Sequence, residues 1–243
     1  MEAVYKRSEA LSDVPTTFCP GCSHGIAFKL IAELSEELNI VDKLVFATPI
    51  GCTTFSAPFH KFSTFMSAHG RAPANATGFK RCNPQRPVIV YQGDGDCAAI
   101  GTAESIHAAA RGESLTVIMA NNQVYGMTGG QMAPTTLEGQ KTTTTPSGRS
   151  VEACGYPIRM AEQIASLEAP RYVTRQSLHT PKHILQAKAA IKKALELQIN
   201  EGAYSFVELL CACPTNYGID PRKIKEYVEK NVIPYFPLGD LKG

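Results

Sequence analysis

Short apolar runs alternate with helical patterns along most of the 243-residue chain. The runs have the length and continuous apolar character of strands that are buried on both faces. Between them, apolar residues recur at the spacing of amphipathic helices. This alternation predicts an α/β fold, a mostly parallel sheet with helices on both faces. The candidate strands are 44–47, 88–91, 115–120, 172–175 and 205–210, and the candidate helices are 25–38, 74–82, 97–111, 159–167 and 181–199.

The chain contains no internal repeat and no long linker rich in glycine, serine or proline. Hydrophobic residues make up 44% of the sequence, which is enough for a substantial core. We therefore expect residues 1–243 to form a single domain. Within it, residues 123–150 are rich in Gly, Thr and Pro, and so long an irregular connection is typical of a functional loop.

Charge and hydropathy argue against nucleic acid and membrane partners. The formal net charge is only +2, and basic residues are interspersed with acidic ones, so no positive stripe matches a phosphate backbone. No apolar stretch approaches the roughly 20 residues that span a bilayer. The first residues, MEAVYKRSEALSDVP, lack the apolar core of a signal peptide. We expect a cytoplasmic protein.

Polar clusters follow two of the predicted strands. Gly-Asp-Gly-Asp at 93–96 comes just after the strand 88–91, and Asn122 follows the strand 115–120. In parallel sheets, ligands bind beyond the carboxyl ends of the strands. The glycines permit close approach of a phosphate, while Asp94, Asn122 and a backbone carbonyl just after Asn122 are oxygen ligands suited to Mg²⁺. The two clusters therefore predict a site for Mg²⁺ and a diphosphate.

Each cluster alone also has an ordinary structural interpretation. An isolated GDG is typical of a turn, and an isolated NN is typical of a loop or a helix cap. The functional interpretation is favoured because both clusters fall at the same predicted edge of the sheet.

Together the clusters resemble the thiamine diphosphate signature, a GDG after a strand with NN about 28 residues later. The segment NNQVYGMTGGQMAPTT is similar to the version in β subunits of 2-oxoacid:ferredoxin oxidoreductases of the 2-oxoisovalerate and 2-oxoglutarate type. The resemblance covers most of the chain and implies the fold that binds the diphosphate of the cofactor. Further similar blocks, in the same order, are FCPGCSHG at 18–25, PIGCTTF at 49–55, AHGRAPANATG at 68–78 and CPTNYG at 213–218.

The resemblance implies roles for individual residues. Asp94, Asn122 and the backbone carbonyl of Val124 would hold Mg²⁺, and His69 and Cys52 are the candidate catalytic side chains. The residues expected to surround thiamine diphosphate are Ile50, Gly51, Cys52, Thr53, His69, Gly93, Asp94, Gly95, Asp96, Asn122, Met127 and Thr128.

Eight cysteines in a reducing compartment are candidates for metal ligands or buried thiols rather than for disulfides. Cys19 and Cys22 form a C-P-G-C pair, and Cys52 and Cys213 lie far from it in the sequence. Such a set could hold zinc, could hold a [4Fe-4S] cluster, or could be unrelated thiols. The position of Cys52 in the turn that faces the cofactor favours the iron–sulfur cluster, and the resemblance agrees.

Four cysteines remain outside this set. Cys211 competes with Cys213 as the fourth ligand, but the family places the ligand directly before a Pro-Thr or similar pair, which favours Cys213. Cys82, Cys97 and Cys154 have no matching ligand context and are predicted to be packing residues.

The activity implied by the resemblance is oxidation of a 2-oxoacid, with coenzyme A, to acyl-CoA and CO2, with electrons passing to ferredoxin. In the family, the glutamate that activates the cofactor comes from a pyrimidine-binding domain, for which 243 residues leave no room. The expected partner is therefore an α subunit that carries this domain, and γ and ferredoxin-like δ subunits are further candidates.

Two other functions remain open. A non-redox thiamine diphosphate-dependent decarboxylase subunit would share the GDGD and NN clusters but would not need the four cysteines. A zinc-stabilised binding protein would hold a metal without thiamine diphosphate. The sequence is equally compatible with branched-chain 2-oxoacids, 2-oxoglutarate and pyruvate as substrates.

Overall fold

The structure, a computed structural model, describes residues 6–243, so the first five residues of the segment compared above with signal peptides lie outside it. The strands are β1 (Val45–Thr48), β2 (Ser63–Met66), β3 (Val88–Gly93), β4 (Thr116–Asn121), β5 (Val124–Tyr125), β6 (Gln131–Met132), β7 (Tyr172–Ser177), β8 (Ser205–Leu210) and β9 (Gly239–Lys242). The α-helices are α1 (His24–Glu37), α2 (Ala72–Cys82), α3 (Thr102–Ala110), α4 (Val151–Cys154), α5 (Met160–Ala165), α6 (Pro181–Glu201), α7 (Pro214–Tyr217) and α8 (Ile224–Tyr227). Segments of 3-10 or π helix cover Cys52–Phe59, Asp96–Ile100, Pro221–Lys223 and Val228–Val232.

A seven-stranded sheet forms the centre of the fold, in the order β2-β1-β3-β4-β8-β7-β9. All neighbouring strands run parallel except β7 and β9, which confirms the prediction of a mostly parallel α/β sheet. The sequence patterns missed the two edge strands, β2 and β9. Both are only partly buried and lack the continuous apolar run by which the central strands were recognised.

Helices cover both faces of the sheet. On one face α1 and α6 pack together, and on the other α2, α3 and α5 enclose a second layer of core. The central strands β4 and β8 are buried at every position, which explains why their side chains show no alternation of apolar and polar residues. Among residues 6–243, no helix is both long and apolar enough to cross a membrane.

The strand order changes direction next to β1. The chain passes from β1 to β2 on one side and then to β3 on the other side of β1. Such a switch opens a crevice at the carboxyl ends of the two strands, because the connections leave in opposite directions. The loops that follow β1, β3, β4 and β8 all emerge at this edge, since these strands are parallel.

Candidate active site

A cleft opens at the carboxyl ends of β1, β3 and β4, with about 530 Å³ of empty space that is partly open to solvent. Every residue predicted to surround the cofactor lies on its wall, and so does Val124. His24, Tyr125 and Gly126 complete the lining. The fold thus gathers around one cleft the residues that the sequence motifs singled out separately.

Asp94 follows β3 directly and is almost fully buried. Its Oδ1 accepts the N–H of Gly95 at 2.9 Å, and its Oδ2 accepts the hydroxyl of Thr135. Burial raises the pKa of Asp94 to about 7, and hydrogen bonds from Thr135 and from the backbone of Gly95 and Gln123 oppose that rise only in part. A divalent cation would favour the ionised carboxylate, so this buried acid fits a metal ligand.

The turn after β4 brings Asn122 and Val124 to the cleft wall. Gln123 between them has a φ of 57°, in the left-handed region that residues with side chains seldom adopt. Its Nε2 donates to the backbone and side-chain oxygens of Asn121, at 2.8 Å each, and its carbonyl accepts the hydroxyl of Thr136 at 2.5 Å. These bonds hold the turn in its strained conformation, with both neighbours of Gln123 on the cleft wall.

A buried ionic network supports this turn from the core. Glu208 accepts the side-chain amide of Asn121 at 2.7 Å and Nε of Arg175 at 2.9 Å. Arg175 also donates to both carboxylate oxygens of Glu162, at 2.9 and 2.5 Å. Burial raises the pKa of Glu208, and the nearby charge of Arg175 and the hydrogen bond from Asn121 oppose the rise. The network connects the turn through β8 and β7 to helix α5, which carries Glu162.

Asp96 orients His69 rather than standing free in the cleft. Its Oδ1 accepts the N–H of Gly70 at 2.6 Å and meets Nδ1 of His69, while its Oδ2 accepts the amide of Gln92 at 2.6 Å. Because Asp96 accepts hydrogen bonds from the other two groups as well, it acts as the acceptor for Nδ1 of His69 and fixes the orientation of the ring. The His69 side chain is 31% exposed, so it remains accessible from the cleft.

The two glycines of the GDGD segment differ in purpose. A Cβ on Gly95 would lie 2.1 Å from the ring of Tyr125, so only glycine fits there. The hydroxyl of Tyr125 donates to the carbonyl of Gly95 at 3.2 Å, which fixes the ring across the loop. A Cβ on Gly93 would meet no atom within 4 Å. Gly95 therefore makes room for a side chain of this protein, whereas Gly93 adjoins open space at the cleft.

The C-P-G-C segment meets the end of β8. The hydroxyl of Ser23 accepts a hydrogen bond from the N–H of Ala212 at 2.9 Å. The N–H of Cys22 donates to the carbonyl of Cys19 at 3.0 Å, which closes a tight turn. These contacts place the first cysteine pair beside the segment that carries Cys213.

Cys52 and Cys213 come together at Gly126. A Cβ placed on Gly126 would lie 3.5 Å from the sulfur of Cys52 and 3.6 Å from that of Cys213. Burial raises the pKa of Cys22 to about 12 and that of Cys52 to about 11, and Cys19 and Cys213 add to both shifts. Bound iron would deprotonate such thiols, so the site fits a group that supplies positive charge. Within the described part of the chain, no three His, Cys, Asp or Glu side chains are grouped so as to hold a single metal ion.

The remaining cysteines have different environments. Cys211 is buried in the core layer of α1 and α6. Cys97 is buried in the opposite layer, and its thiol lies 3.4 Å from the hydroxyl of Ser105. Cys82, the last residue of α2, is exposed, so the prediction that it packs in the core is wrong. Cys154, on the short helix α4, is partly buried.

Comparison with known proteins assigns the family. Residues 49–209 match the model of the thiamine pyrophosphate enzymes, C-terminal TPP binding domain. The 2-oxoglutarate synthase subunit KorB of Archaeoglobus fulgidus is 38% identical over 94% of this chain and 80% of its own length. The chain belongs to the thiamine diphosphate-binding β subunits of the 2-oxoacid:ferredoxin oxidoreductases.

Other members of the family are longer. The ketoisovalerate oxidoreductase subunit VorA of Methanothermobacter thermautotrophicus is 45% identical over 98% of this chain but only 50% of its own length. The chain thus spans about half the length of this relative and of its counterpart in Methanothermobacter marburgensis. A solved 2-oxoglutarate:ferredoxin oxidoreductase from Magnetococcus marinus, with 2-oxoglutarate, coenzyme A and succinyl-CoA bound, matches with a TM-score of 0.80 and 27% identity, over 98% of this chain and 85% of that chain.

In this family member, the sequence motifs missed the residues that support the ligands. Thr135 bonds to Asp94 from beyond the β5–β6 hairpin, and Gln92 helps to hold Asp96. Tyr217 donates its hydroxyl to the carbonyl of Asn122 at 2.8 Å from the other end of the chain. Thr135 and Tyr217 lay within the quoted motifs NNQVYGMTGGQMAPTT and CPTNYG, but no local pattern distinguishes such supporting residues from ordinary loop residues.

Proposed function

We propose that this chain is the thiamine diphosphate-binding part of an enzyme that oxidises a 2-oxoacid to acyl-CoA and CO2. The observation that carries the proposal is the meeting of two ligand sets at one cleft. The proposed oxygen ligands follow β3 and β4. Cys52 lies on the same cleft wall, and its sulfur and that of Cys213 both lie next to Gly126. The proposal treats residues 1–243 as one domain that carries both sets.

On the oxygen side, Asp94, the amide oxygen of Asn122 and the carbonyl of Val124 would hold Mg²⁺, which in turn would bind the diphosphate of the cofactor. Thr135 keeps the Asp94 carboxylate in position through its hydroxyl. The strained residue Gln123 orients its two neighbours toward the cleft. The protein therefore supplies the metal site from a rigid sheet edge rather than from a mobile loop.

On the sulfur side, Cys19, Cys22, Cys52 and Cys213 would ligate a [4Fe-4S] cluster. When bound, thiamine diphosphate supplies the electron sink for decarboxylation, coenzyme A takes the acyl group, and the cluster carries electrons singly toward ferredoxin. Within this chain, His69 lies on the cleft wall, where its imidazole would accept or hold a proton. Asp96 orients the ring.

The open side of the cleft is where we place the partner. Ile50 and Met127 line the cleft and are each 40% exposed, and Met66, at the carboxyl end of β2, is 60% exposed. Exposed apolar side chains at the cleft and at this edge of the sheet fit a subunit that covers the cofactor and excludes water. The pyrimidine-binding wall and its activating glutamate would come from residues outside 6–243, on an α subunit. The γ and ferredoxin-like δ subunits would extend the electron path to ferredoxin.

The test is turnover by the anaerobically purified chain with and without the α subunit. The assay contains thiamine diphosphate, Mg²⁺, coenzyme A, an artificial electron acceptor and one 2-oxoacid at a time. Since relatives are named for ketoisovalerate and 2-oxoglutarate, the panel includes 2-oxoisovalerate, 2-oxoglutarate and pyruvate. We expect acyl-CoA formation only with the partner present.

Two outcomes would contradict the proposal. Multiple turnovers by the chain alone, at the rate of the assembled complex, would show that the whole active site lies within it. Release of CO2 without reduction of the acceptor, from a protein without iron and sulfide, would identify a non-redox decarboxylase instead.

A further inference from the structure

Asn216 contacts a proposed cluster ligand directly. Its side-chain Nδ2 lies 3.2 Å from the sulfur of Cys213 and 3.0 Å from the carbonyl oxygen of Gly126. An amide nitrogen carries two hydrogens, so both hydrogen bonds can form at once. The sulfur contact is within the range of an N–H···S hydrogen bond, because sulfur is larger than oxygen.

The surroundings hold this amide in place. Asn216 lies on α7, which begins directly after Cys213, and the N–H of Tyr217 donates to the carbonyl of Cys213 at 3.0 Å. Opposite it, a Cβ on Gly130 would lie 3.0 Å from the Asn216 side chain, so the loop packs closely against the amide. Asn216 therefore has packed neighbours on both sides.

The chemistry of the contact is specific. A thiolate that ligates iron retains lone pairs, and an N–H aimed at it stabilises negative charge on the sulfur and the attached cluster. One-electron reduction adds a negative charge to the cluster without breaking a bond to the protein. A donor to the sulfur therefore stabilises the reduced state more than the oxidised state, which raises the reduction potential.

We infer that Asn216 is a positioning residue that raises the reduction potential of the [4Fe-4S] cluster and ties its ligand Cys213 to the cofactor-facing loop at Gly126. This inference rests on the proposed cluster. It adds a residue that joins the electron acceptor to the loop carrying Met127 and Thr128 on the cleft wall.

The test compares Asn216→Leu and Asn216→Asp with the parent chain after anaerobic assembly with iron and sulfide. Both substitutions keep the approximate size of the side chain and remove both N–H donors, and aspartate adds a negative charge. The potential is measured by titration with dithionite, which supplies the electron, and the reduced cluster is followed by electron paramagnetic resonance. Iron and sulfide content is measured on the same samples.

We expect Asn216→Leu to lower the equilibrium constant for one-electron reduction about tenfold, a shift of about 59 mV to more negative potential. Asn216→Asp should shift further in the same direction because of its charge. Thr215→Val is the matched control, since Thr215 is the exposed neighbour on the same short helix. Tyr217→Phe removes the hydroxyl that reaches Asn122 instead of the sulfur, so it should also keep the potential of the parent.

The outcomes separate this inference from the proposed function. If both Asn216 variants assemble the cluster and titrate at the potential of the parent, the role of Asn216 is refuted while the cluster stands. If the parent itself binds no iron and sulfide, the proposed cluster fails, and the inference fails with it. If Asn216→Leu alone fails to hold the cluster, the role of Asn216 in holding Cys213 is supported. The potential of Asn216→Asp then shows whether Asn216 also raises the reduction potential.

Discussion

The two proposed ligand sets are built in different ways. The proposed oxygen ligands Asp94 and Asn122 follow neighbouring parallel strands, are almost fully buried, and are held by hydrogen bonds from uncharged groups. The four thiols come from segments spread from residue 19 to residue 213, and none of the four is fully buried. The oxygen side is a product of the sheet, whereas the sulfur side is an assembly of chain segments around the sheet edge.

This difference predicts different responses to mutation. The backbone of the oxygen side is rigid because strand pairing and the network of Arg175 and Glu208 hold it, so changes there should alter cofactor affinity or stability by degrees. On the sulfur side the proposed cluster would be the main link among the segments, so loss of one ligand should remove the cluster as a whole.

The largest effect is expected for the cysteines. The parent chain, made without oxygen, should contain about four irons and four sulfides, and Cys19→Ser or Cys213→Ser should lose the cluster. Iron and sulfide analysis measures both. Cys211→Ser is the control, since Cys211 lies in the core, and it should keep the cluster. Zinc in place of iron would refute the prediction. Loss of the cluster in Cys211→Ser but not in Cys213→Ser would show that Cys211, and not Cys213, is the fourth ligand.

The next effect concerns the core beneath the oxygen side. Glu208→Gln should lower the free energy of unfolding by about 3 kcal/mol, because it leaves the buried Arg175 with one charged partner fewer. Urea unfolding followed by circular dichroism measures the loss. The matched control is Glu162→Gln, which removes the other partner of the same arginine at a side chain that is 35% exposed, and should cost about 1 kcal/mol or less. Equal losses would show that burial does not distinguish the two pairs.

Removal of an oxygen ligand should weaken cofactor binding while leaving the fold intact. Asp94→Ala or Asn122→Ala is expected to reduce affinity for thiamine diphosphate with Mg²⁺ about a hundredfold, or about 2.8 kcal/mol, by calorimetry. Asp42→Ala serves as the control, because Asp42 is exposed and precedes β1 at the opposite edge of the sheet. Parental affinity in either ligand variant would remove that residue from the metal site.

The smallest effect is a pH dependence of the oxygen side. Burial raises the pKa of Asp94 to about 7, above the value near 3.9 expected in the unfolded chain. Without the cation, the protonated carboxyl therefore stabilises the fold below pH about 4, and this contribution is lost as the pH rises through about 7. Mg²⁺ requires the carboxylate, so affinity for the cofactor with Mg²⁺ should fall by up to about tenfold per pH unit below pH about 7.

Calorimetry in buffers of different ionisation enthalpy measures the proton that binding should release from Asp94. In Asp94→Asn the weakened binding should lose this part of the pH dependence, whereas titration of the diphosphate itself is common to both proteins. An identical pH profile in the two would show that Asp94 does not titrate on binding.

Local patterns in the sequence identified the central strands, the main helices and the candidate ligands. Continuous apolar runs identified the central strands, because a strand buried on both faces needs apolar residues at successive positions. The GDGD and NN segments stood out because each directly follows such a run, and the C-P-G-C pair stood out by its spacing. The edge strands β2 and β9 escaped because their burial is partial.

Only the tertiary structure decided which distant residues meet. Two contacts depend on strand order and on the packing of α1 and β8: that of Ser23 with Ala212, and that of Cys52 and Cys213 with Gly126. No periodicity along the chain encodes either contact. The same holds for Asp96, which the sequence predicted only to lie near the cofactor and whose neighbours in space make it the group that orients His69. Periodicity reports whether a residue is buried, whereas its partners are set by contacts between segments that fold together from far apart in the chain.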